Sequence, residues 1–597
     1  MMIWNTLAPG RVEILSPELK ERIKLVRNYM LALDEELLLQ NFYYESGLRV
    51  DYGLPEKVHG GWESPTCQLR GHFLGHYLSA CAFSWAYYAD EGLKGRGDSI
   101  VRALARCQSE NGGRWVFSIP ATYLDWLARG KKIWAPQYTL HKTLMGLIDM
   151  ARYAENAEAL KVADSAADWF YDWSGRFTRE QFDDILDVET GGMLEAWADL
   201  YGLTKDEKYL ELFHRYLRPR LFEPLLRGED VLTNMHANTT IPEMLGLARM
   251  WELTGEAKYL DIVKAYWRMA VTERGAFATG GQTCDEVWTP PFQLSERLGP
   301  ENQEHCVVYN MIRLSDFLLR VTGDTRYADY IERNFDNGIL AQQHPGTGMV
   351  AYYLPMNGGA KMGWGSRTEH FWCCHGTLVQ AHMRHGADFC YESGDELLLA
   401  QYHGMRAFHK ATGAEISVSE YDSAMSTYAP NAPRMADFVS RPMARRYVIR
   451  VRAGQRPMTL RLRMPWWVVG EATVTGPVGE TAARAAGGEI VLTVDSDRQY
   501  LLEMPCALST CPLPDAPGTF AFMEGPDVLV GLTNVNTLSW DSDVSEAWRI
   551  LRPVTRSPFL HKFNRYAAVQ QSQKIEFIPL RFLADEAFTL YFTLDGR

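Results

Sequence analysis

A chain of 597 residues exceeds the ~250–300 residues at which a single core stops growing, so two to four domains are expected. Its 46% hydrophobic and 23% charged content is that of a soluble globular protein, and no uncharged apolar run approaches the ~18 residues that a membrane-spanning helix needs. The net charge of −13, with a pI near 5.7 and no basic stripe, argues against nucleic acid or an anionic membrane as partner.

The aromatic content of 12%, with 18 Trp and 29 Tyr, serves either sugar-facing platforms or large cores. Ten cysteines scattered through a large chain suit a reducing compartment and metal or catalytic use. The start, Met1 to Pro9, lacks a basic region followed by a long apolar run, so a cytoplasmic location is expected.

In chain order, amphipathic stretches predict helices over 17–45, 71–88, 99–111, 139–154 and 157–173. A repeat then appears: ADLYGLTKDEKYL from Ala198, ARMWELTGEAKYL from Ala248 and SDFLLRVTGDTRYA from Ser315 share one register. Thr204, Thr254 and Thr322 each precede a tyrosine (Tyr209, Tyr259, Tyr327) by five residues. Each copy reads as a helix, a tight turn and a second helix, with the tyrosine facing inward. The threonines are spaced by 50 and then 68 residues, so the last unit carries an insert, which includes Gly280 to Glu286. About a dozen helices before residue 393, taken as six hairpins, would close into a double-layered α/α barrel; an open solenoid is the alternative.

Beyond residue 395 the periodicity turns from helical to alternating. Strands are expected at 447–452, 460–464, 490–494 and 528–530, as material for β-sandwiches. The proline-rich run from Cys511 to Gly518 reads as a linker between two such modules, or as a long loop inside one. The fold class expected is therefore multidomain, α then β: an (α/α)6 barrel over 1–393, a β-sandwich over 394–513 and a second over 514–597.

The chemistry concentrates in two short patterns, Glu304-His305-Cys306 and Cys373-Cys374. Three thiolates and a carboxylate make a set that suits a tetrahedral zinc ion, and neighbouring cysteines rarely pair with each other because that ring is strained. All four sit where helices are predicted to begin, and a helix N-terminus favours the thiolate. Buried, inert thiols are the plainer explanation of any two cysteines. His72 and His76 could share a helix face, yet no nearby carboxylate completes a zinc-protease pattern.

The segments EHCVVYNMIRL from Glu304 and HFWCCHG from His370 resemble the two zinc-binding signatures of the β-L-arabinofuranosidases, glycoside hydrolase family 127 and relatives such as family 146. RGHFLGHYLS from Arg70, WAPQYTLHK from Trp134, HANTTIP from His236 and AYYLP from Ala351 resemble further signatures of that family in the same order, so the likeness spans roughly residues 20 to 395. It implies an (α/α)6 barrel followed by β-sandwiches. It also implies Zn2+ held by Glu304, Cys306, Cys373 and Cys374, with Cys373 as nucleophile and Glu286 as general acid/base. His72, His141, His236 and Tyr352 would hydrogen-bond sugar hydroxyls, and Trp62, Trp134 and Trp372 could stack on sugar faces. Asp285, and behind it Glu296, remain alternatives to Glu286. The chain departs from the family pattern at His305 and at Val287-Trp288.

The activity so implied is zinc-dependent, retaining hydrolysis that releases terminal β-L-arabinofuranose from plant-derived glycans or oligosaccharides. The expected partner is a carbohydrate substrate, with no nucleic acid and no membrane, and a homodimer is an open option. The rivals are a non-catalytic carbohydrate-binding protein with structural zinc and an α/α-barrel hydrolase or lyase acting on another sugar.

Overall fold

The computed structural model describes residues 3–49, 58–420, 443–476, 479–540, 547–554 and 565–595. Helices fill the N-terminal part and strands the C-terminal part. Six helices form an inner ring: His72–Tyr88, Pro136–Tyr153, Met193–Thr204, Ala237–Thr254, His305–Thr322 and Cys373–His382. Each packs on the next and the sixth packs on the first, so the array closes and is not an open solenoid. Glu91–Glu110, Ala157–Ser174, Glu207–Arg215, Ala257–Trp267, Arg326–Asn334 and Pro17–Ala32 each pack on one ring helix.

Composition separates the two layers. The ring helix His72–Tyr88 is apolar nearly all round, and every residue from His72 to Ser84 is buried. Its partner Glu91–Glu110 buries only one stripe, including Leu93, Gly97, Ile100, Val101, Leu104 and Cys107, and leaves the rest to solvent. The helix predicted over 17–45 is two helices, Pro17–Ala32 and Glu35–Glu45. The Asp34 carboxylate accepts from Glu36 N at 2.9 Å and Leu37 N at 3.3 Å and so starts the second.

The repeat marks the short turns from ring helix to partner helix. In each copy the threonine hydroxyl donates to the carbonyl four residues back, at 2.8 Å for Thr204, 2.9 Å for Thr254 and 2.7 Å for Thr322. It then accepts from the N–H two residues on, at Asp206, Glu256 and Asp324, and this turns the chain at once. The three tyrosines are buried. Gly255 and Gly323 take φ of 73° and 70° after their helices, whereas in the first copy Lys205 holds φ 61°.

These turns lie at one end of the ring, and a chain of ion pairs links the C-terminal halves of four ring helices there. Asp199 lies 3.1 Å from Arg152 and 2.8 Å from Arg249, Glu252 lies 2.8 Å from both Arg249 and Arg320, and Arg320 lies 3.0 Å from Asp316. Arginines suit this end because helix C-termini carry partial negative charge. The return connections from partner helix to next ring helix are long and lie at the other end. The insert seen in the sequence falls in one of them, residues 268–304.

The strands expected from the alternating pattern all form. A five-stranded sheet runs Asn5–Thr6, Cys390–Ser393, Glu396–Leu399, Met458–Arg463, Glu489–Val494. A seven-stranded sheet runs Thr481–Ala485, Ala472–Thr475, Arg498–Cys506, Met443–Arg452, Ala414–Glu420, Met405–His409, Val12–Ile14. Leu397 and Leu460 of the first sheet share a core with Ile416 and Ile449 of the second. Residues 5–14 thus belong to the β-rich part, although they precede the ring.

The run from Cys511 to Gly518 is not a linker. It is a hairpin of Leu508–Leu513 and Ala516–Glu524 that opens a six-stranded sheet, and residues 514–515 form its turn. Pro512 is tolerated because Leu508–Leu513 is the edge strand, where a missing N–H costs no ladder bond.

Lys205→Gly should raise stability by roughly 1 kcal/mol, since an L-residue pays about that much for a left-handed conformation. Urea unfolding of the variant checks this, and an unchanged or lowered midpoint would count against the turn analysis.

Candidate active site

The ring helices begin at the end opposite the short turns, and there the two cysteine patterns meet. Glu304 is the N-cap residue of His305–Thr322, Cys306 lies in that helix's first turn, and Cys373 and Cys374 open Cys373–His382. The ligand atoms of Glu304, Cys306, Cys373 and Cys374 all lie within 4.8 Å of one another. Cys374 Sγ is 3.4 Å from Cys306 Sγ and 3.8 Å from Cys373 Sγ, and Cys373 Sγ is 3.6 Å from Glu304 Oε1.

All four groups are buried, and Glu304 Oε2 has no hydrogen-bond partner. Burial drives the Cys373 and Cys374 thiols and the Glu304 carboxyl well above their ordinary values. At Cys306 burial acts the same way, but hydrogen bonds from the two other thiols and from Thr377 outweigh it and bring the thiol down to about 7. Cys306 is thus the group of the four whose thiol is lowered, while burial, the largest cause at each, keeps Cys373, Cys374 and Glu304 toward their neutral forms. Such a set of thiols and carboxylate can hold a metal ion.

Glu286 reaches the cluster from a small hairpin. Thr283–Cys284 pairs with Val287–Trp288, and the two tip residues, Asp285 and Glu286, take φ of 52° and 64°, as the primed turn of a two-residue hairpin demands. The tip is pinned, because Ala237 N donates to Glu286 O at 2.8 Å and Asp285 N to Glu301 O at 2.9 Å. The Glu286 carboxylate accepts from Tyr352 Oη, and that oxygen is 3.4 Å from Cys373 Sγ. Asp285 instead interacts with Cys284 and Glu301, and Glu296 is exposed on the helical turn Ser295–Arg297. Of the three carboxylates weighed from the sequence, the fold brings Glu286 to the thiols.

The histidines divide. His236 is about one-third exposed and lies between two carboxylates, with Nδ1 2.9 Å from Glu189 Oε1 and Nε2 3.7 Å from Glu286 Oε2. His72 is fully buried and uses both ring nitrogens, on Tyr138 Oη at 3.1 Å and Phe371 O at 2.8 Å. It has no nitrogen left for a sugar hydroxyl; its work is to tie its helix to the turn before Cys373. His141 is buried against Gly192 and lines an axial cavity of about 150 Å3 with Glu195, Arg313 and Gln380. His76 bonds Gln380 at 2.7 Å, and among the described residues His72 and His76 join no metal-holding group.

Trp62, Trp134 and Trp372 assemble around Tyr352. Trp62 and Trp372 lie edge-on to its ring with centroids 6.3 Å and 5.6 Å away, and Trp134, 48% exposed, packs on Trp62 at 5.1 Å. Two contributors escaped the sequence: Glu189, a loop carboxylate with nothing to mark it, and Thr377. The Thr377 hydroxyl lies 3.2 Å from Cys306 Sγ and 2.9 Å from His305 Nδ1, so His305 bears on the cluster through it. Among the described residues no helix is long and apolar enough to cross a membrane.

Residues 11–387, more than half of the chain, match the family described as β-L-arabinofuranosidase, GH127 catalytic domain, and the chain belongs to that family. It is 24% identical over 312 residues to the non-reducing end β-L-arabinofuranosidase of Bifidobacterium longum subsp. longum, an alignment covering 44% of this chain and 45% of that protein. The chain thus aligns with a little under half the length of that relative. Its fold is similar to that of a GH127 β-L-arabinofuranosidase from Geobacillus stearothermophilus T6, with a TM-score of 0.69 at 16% identity over 98% of this chain and 100% of the other. A second solved GH127 β-arabinofuranosidase gives 0.71 at 17% identity over 99% and 98%. At such identities the likeness speaks for the fold, a helical part followed by a β-rich part.

Burial alone would push the His236 imidazole down, but the bond to Glu189 outweighs it and leaves the pKa raised. The pair therefore adds stability below the ordinary histidine pKa that is lost as pH rises through the raised value. Glu189→Gln should lower the His236 pKa, as read from its ring proton shifts in an NMR titration; an unmoved value would refute this role for Glu189.

Proposed function

We propose that the protein is a zinc-dependent, retaining glycoside hydrolase that releases terminal β-L-arabinofuranose from plant-derived glycans or oligosaccharides. In this reading the closed ring and its partner helices are the catalytic (α/α)6 barrel, and the C-terminal strands build β-sandwich units. The observation that carries it is the unequal burial of the cluster. Cys306 and Cys374 are fully sealed, while Cys373 keeps 6% of its surface and lies one tyrosine hydroxyl away from Glu286. A purely structural metal site would close over all its sulfurs.

The donor set fits zinc. A tetrahedral ion about 2.3 Å from each sulfur places the sulfurs about 3.8 Å apart. The observed separations of 3.4 and 3.8 Å come within about 0.4 Å of that spacing, and Glu304, whose Oε2 has no hydrogen-bond partner, would supply the fourth ligand. Zinc, when bound, supplies the positive charge that keeps Cys373 ionised at neutral pH and eases its departure.

The residues then divide the work. Cys373 Sγ attacks the anomeric carbon as the bond to the leaving oxygen breaks, and Glu286 gives that oxygen its proton. In the second step Glu286 takes a proton from water, the water oxygen bonds to the anomeric carbon from the vacated face, and the carbon–sulfur bond breaks. Two inversions leave the configuration retained. Tyr352 orients both groups through its hydroxyl, His236 presents Nε2 to the same space, and the tryptophans wall it. Substrate positioning by His141 is confined to what reaches the axial cavity.

With para-nitrophenyl β-L-arabinofuranoside, the zinc-loaded protein should release phenolate, and Cys373→Ser should lose at least about 1,000-fold. Glu286→Gln should lose about 100- to 10,000-fold, the usual worth of a general acid/base. Chelation should abolish turnover and added zinc restore it. Activity retained by Cys373→Ser would overturn the nucleophile, and a folded, zinc-loaded wild type inactive across a panel of furanosides and pyranosides would point to a structural metal.

A further inference from the structure

We propose that His236, Glu286 and Glu304 form a second, weaker divalent-cation site that shares Glu304 with the thiol cluster, and that an ion bound there inhibits the hydrolase by occupying Glu286. The inhibition rests on the acid/base role given to Glu286 above; the site rests on geometry. One ring nitrogen of His236 and one carboxylate oxygen each of Glu286 and Glu304 lie within 4.8 Å of one another. An imidazole with two carboxylates is a donor set for first-row divalent ions, zinc among them, and three protein ligands leave the ion an open position.

Each ligand is held ready by a neighbour or left free for the role. His236 Nδ1 lies 2.9 Å from Glu189 Oε1 and 2.5 Å from Thr239 Oγ1, so the ring proton belongs on that side and Nε2, 3.7 Å from Glu286 Oε2, turns its lone pair to the site. A carboxylate behind the far ring nitrogen is how proteins orient a metal-binding imidazole. Glu286 Oε1 accepts from Tyr352 Oη, which leaves Oε2 for an ion. Glu304 is the N-cap residue of its helix, yet its side chain takes no capping bond, and its buried Oε2 has no hydrogen-bond partner. An N-cap carboxylate ordinarily accepts from its own helix; this one turns to the cluster instead, with Oε1 3.6 Å from Cys373 Sγ.

Charge favours occupation. Three thiolates and a carboxylate carry four negative charges, one zinc ion cancels two, and Glu286 adds another beside them. Two carboxylates this close repel unless a proton or a cation lies between them. Among the described residues neither Glu286 nor Glu304 pairs with a lysine or arginine, and His236 is the cationic group at hand. As an imidazolium it supplies one positive charge; a divalent ion supplies two, takes Nε2 as a ligand and sends its proton to solvent.

The same geometry makes the second ion the weaker. Ligands of a tetrahedral ion with bonds of about 2.0 Å lie about 3.3 Å apart. His236 and Glu286, each about one-third exposed, must close in to reach that spacing, whereas Cys374 Sγ already lies 3.4 and 3.8 Å from the other two sulfurs. Two-metal sites space their ions by about 3.5–4 Å, a gap that one carboxylate spans with an oxygen on each, as Glu304 would. Glu286 bound to an ion cannot carry the proton that the leaving oxygen needs.

The test titrates the full-length apo-protein with cobalt(II) and, separately, with zinc, following the thiolate-to-cobalt absorption band and the bound metal per chain by equilibrium dialysis. Wild type should take up two ions, the first raising the thiolate band and the second binding at least tenfold more weakly without adding to it. His236→Gln and Glu286→Gln should each weaken the second ion at least tenfold and keep the first with its band. Turnover of wild type should fall at least fivefold as free zinc passes through the second dissociation constant, and return when a weak chelator removes the excess. One ion per chain at saturation, or a second ion that either substitution leaves unmoved, would overturn the site and leave the zinc reading intact. Two ions with undiminished turnover would overturn the inhibition. A wild type that takes up no zinc and shows no thiolate band would overturn the zinc reading itself.

Discussion

The parallel run of six helices around one axis is the constraint on which the molecule depends. Each ring helix brings its N-terminus to the same end, and each N-terminus carries about half a positive charge on free N–H groups. That end can therefore hold thiolates and carboxylates close together. Glu63 accepts from Gly71 N at 2.7 Å and Phe73 N at 2.8 Å at the start of the first ring helix, bonds that offset part of the burial that raises its carboxyl to about 8. The opposite end carries the complementary negative charge and is laced with arginines. The polarity of the fold thus assigns chemistry to one end and closure to the other.

Closure and chemistry place opposite demands on the chain. A turn that only reverses direction can be two or three residues long and can recur, so the threonine, acidic residue and tyrosine return at Thr204, Thr254 and Thr322. The connections at the other end must each deliver a different group to one point: Glu189 from one, His236 from the next, Glu286 from a third and Tyr352 from a fourth. No common pattern could meet that demand. The strain at the site is likewise local, with Asp285 and Glu286 both held at positive φ by backbone bonds to neighbouring connections.

Much of the site was legible because its ligands come in short-range pairs. Glu304 with Cys306 and Cys373 with Cys374 lie at predicted helix starts, where the free N–H groups favour thiolates and carboxylates. Glu286 was nameable only among several carboxylates, since nothing in Cys284-Asp285-Glu286 says which side chain turns inward. The histidines were the least legible. His72 and His236 both lie at ring helix N-termini, yet one is spent on Tyr138 and Phe371 O and the other stands open between two carboxylates. That difference depends on what packs against each ring, which no local pattern encodes.

By itself the sequence determined the features that periodicity and nearest neighbours dictate. It set the change from helical to alternating pattern near residue 395, the apolar ring helix against its amphipathic partner, the capped turns, and the pairing of acid with thiol. Tertiary structure decided whatever needs distant segments to meet. It joined residues 5–14 to sheets formed some 400 residues later, turned a proline-rich run into an edge hairpin, and brought Glu189 to His236 and Tyr352 between Glu286 and Cys373. The physical reason is range: capping and amphipathicity act within a few residues, whereas burial and charge compensation are properties of the closed ring.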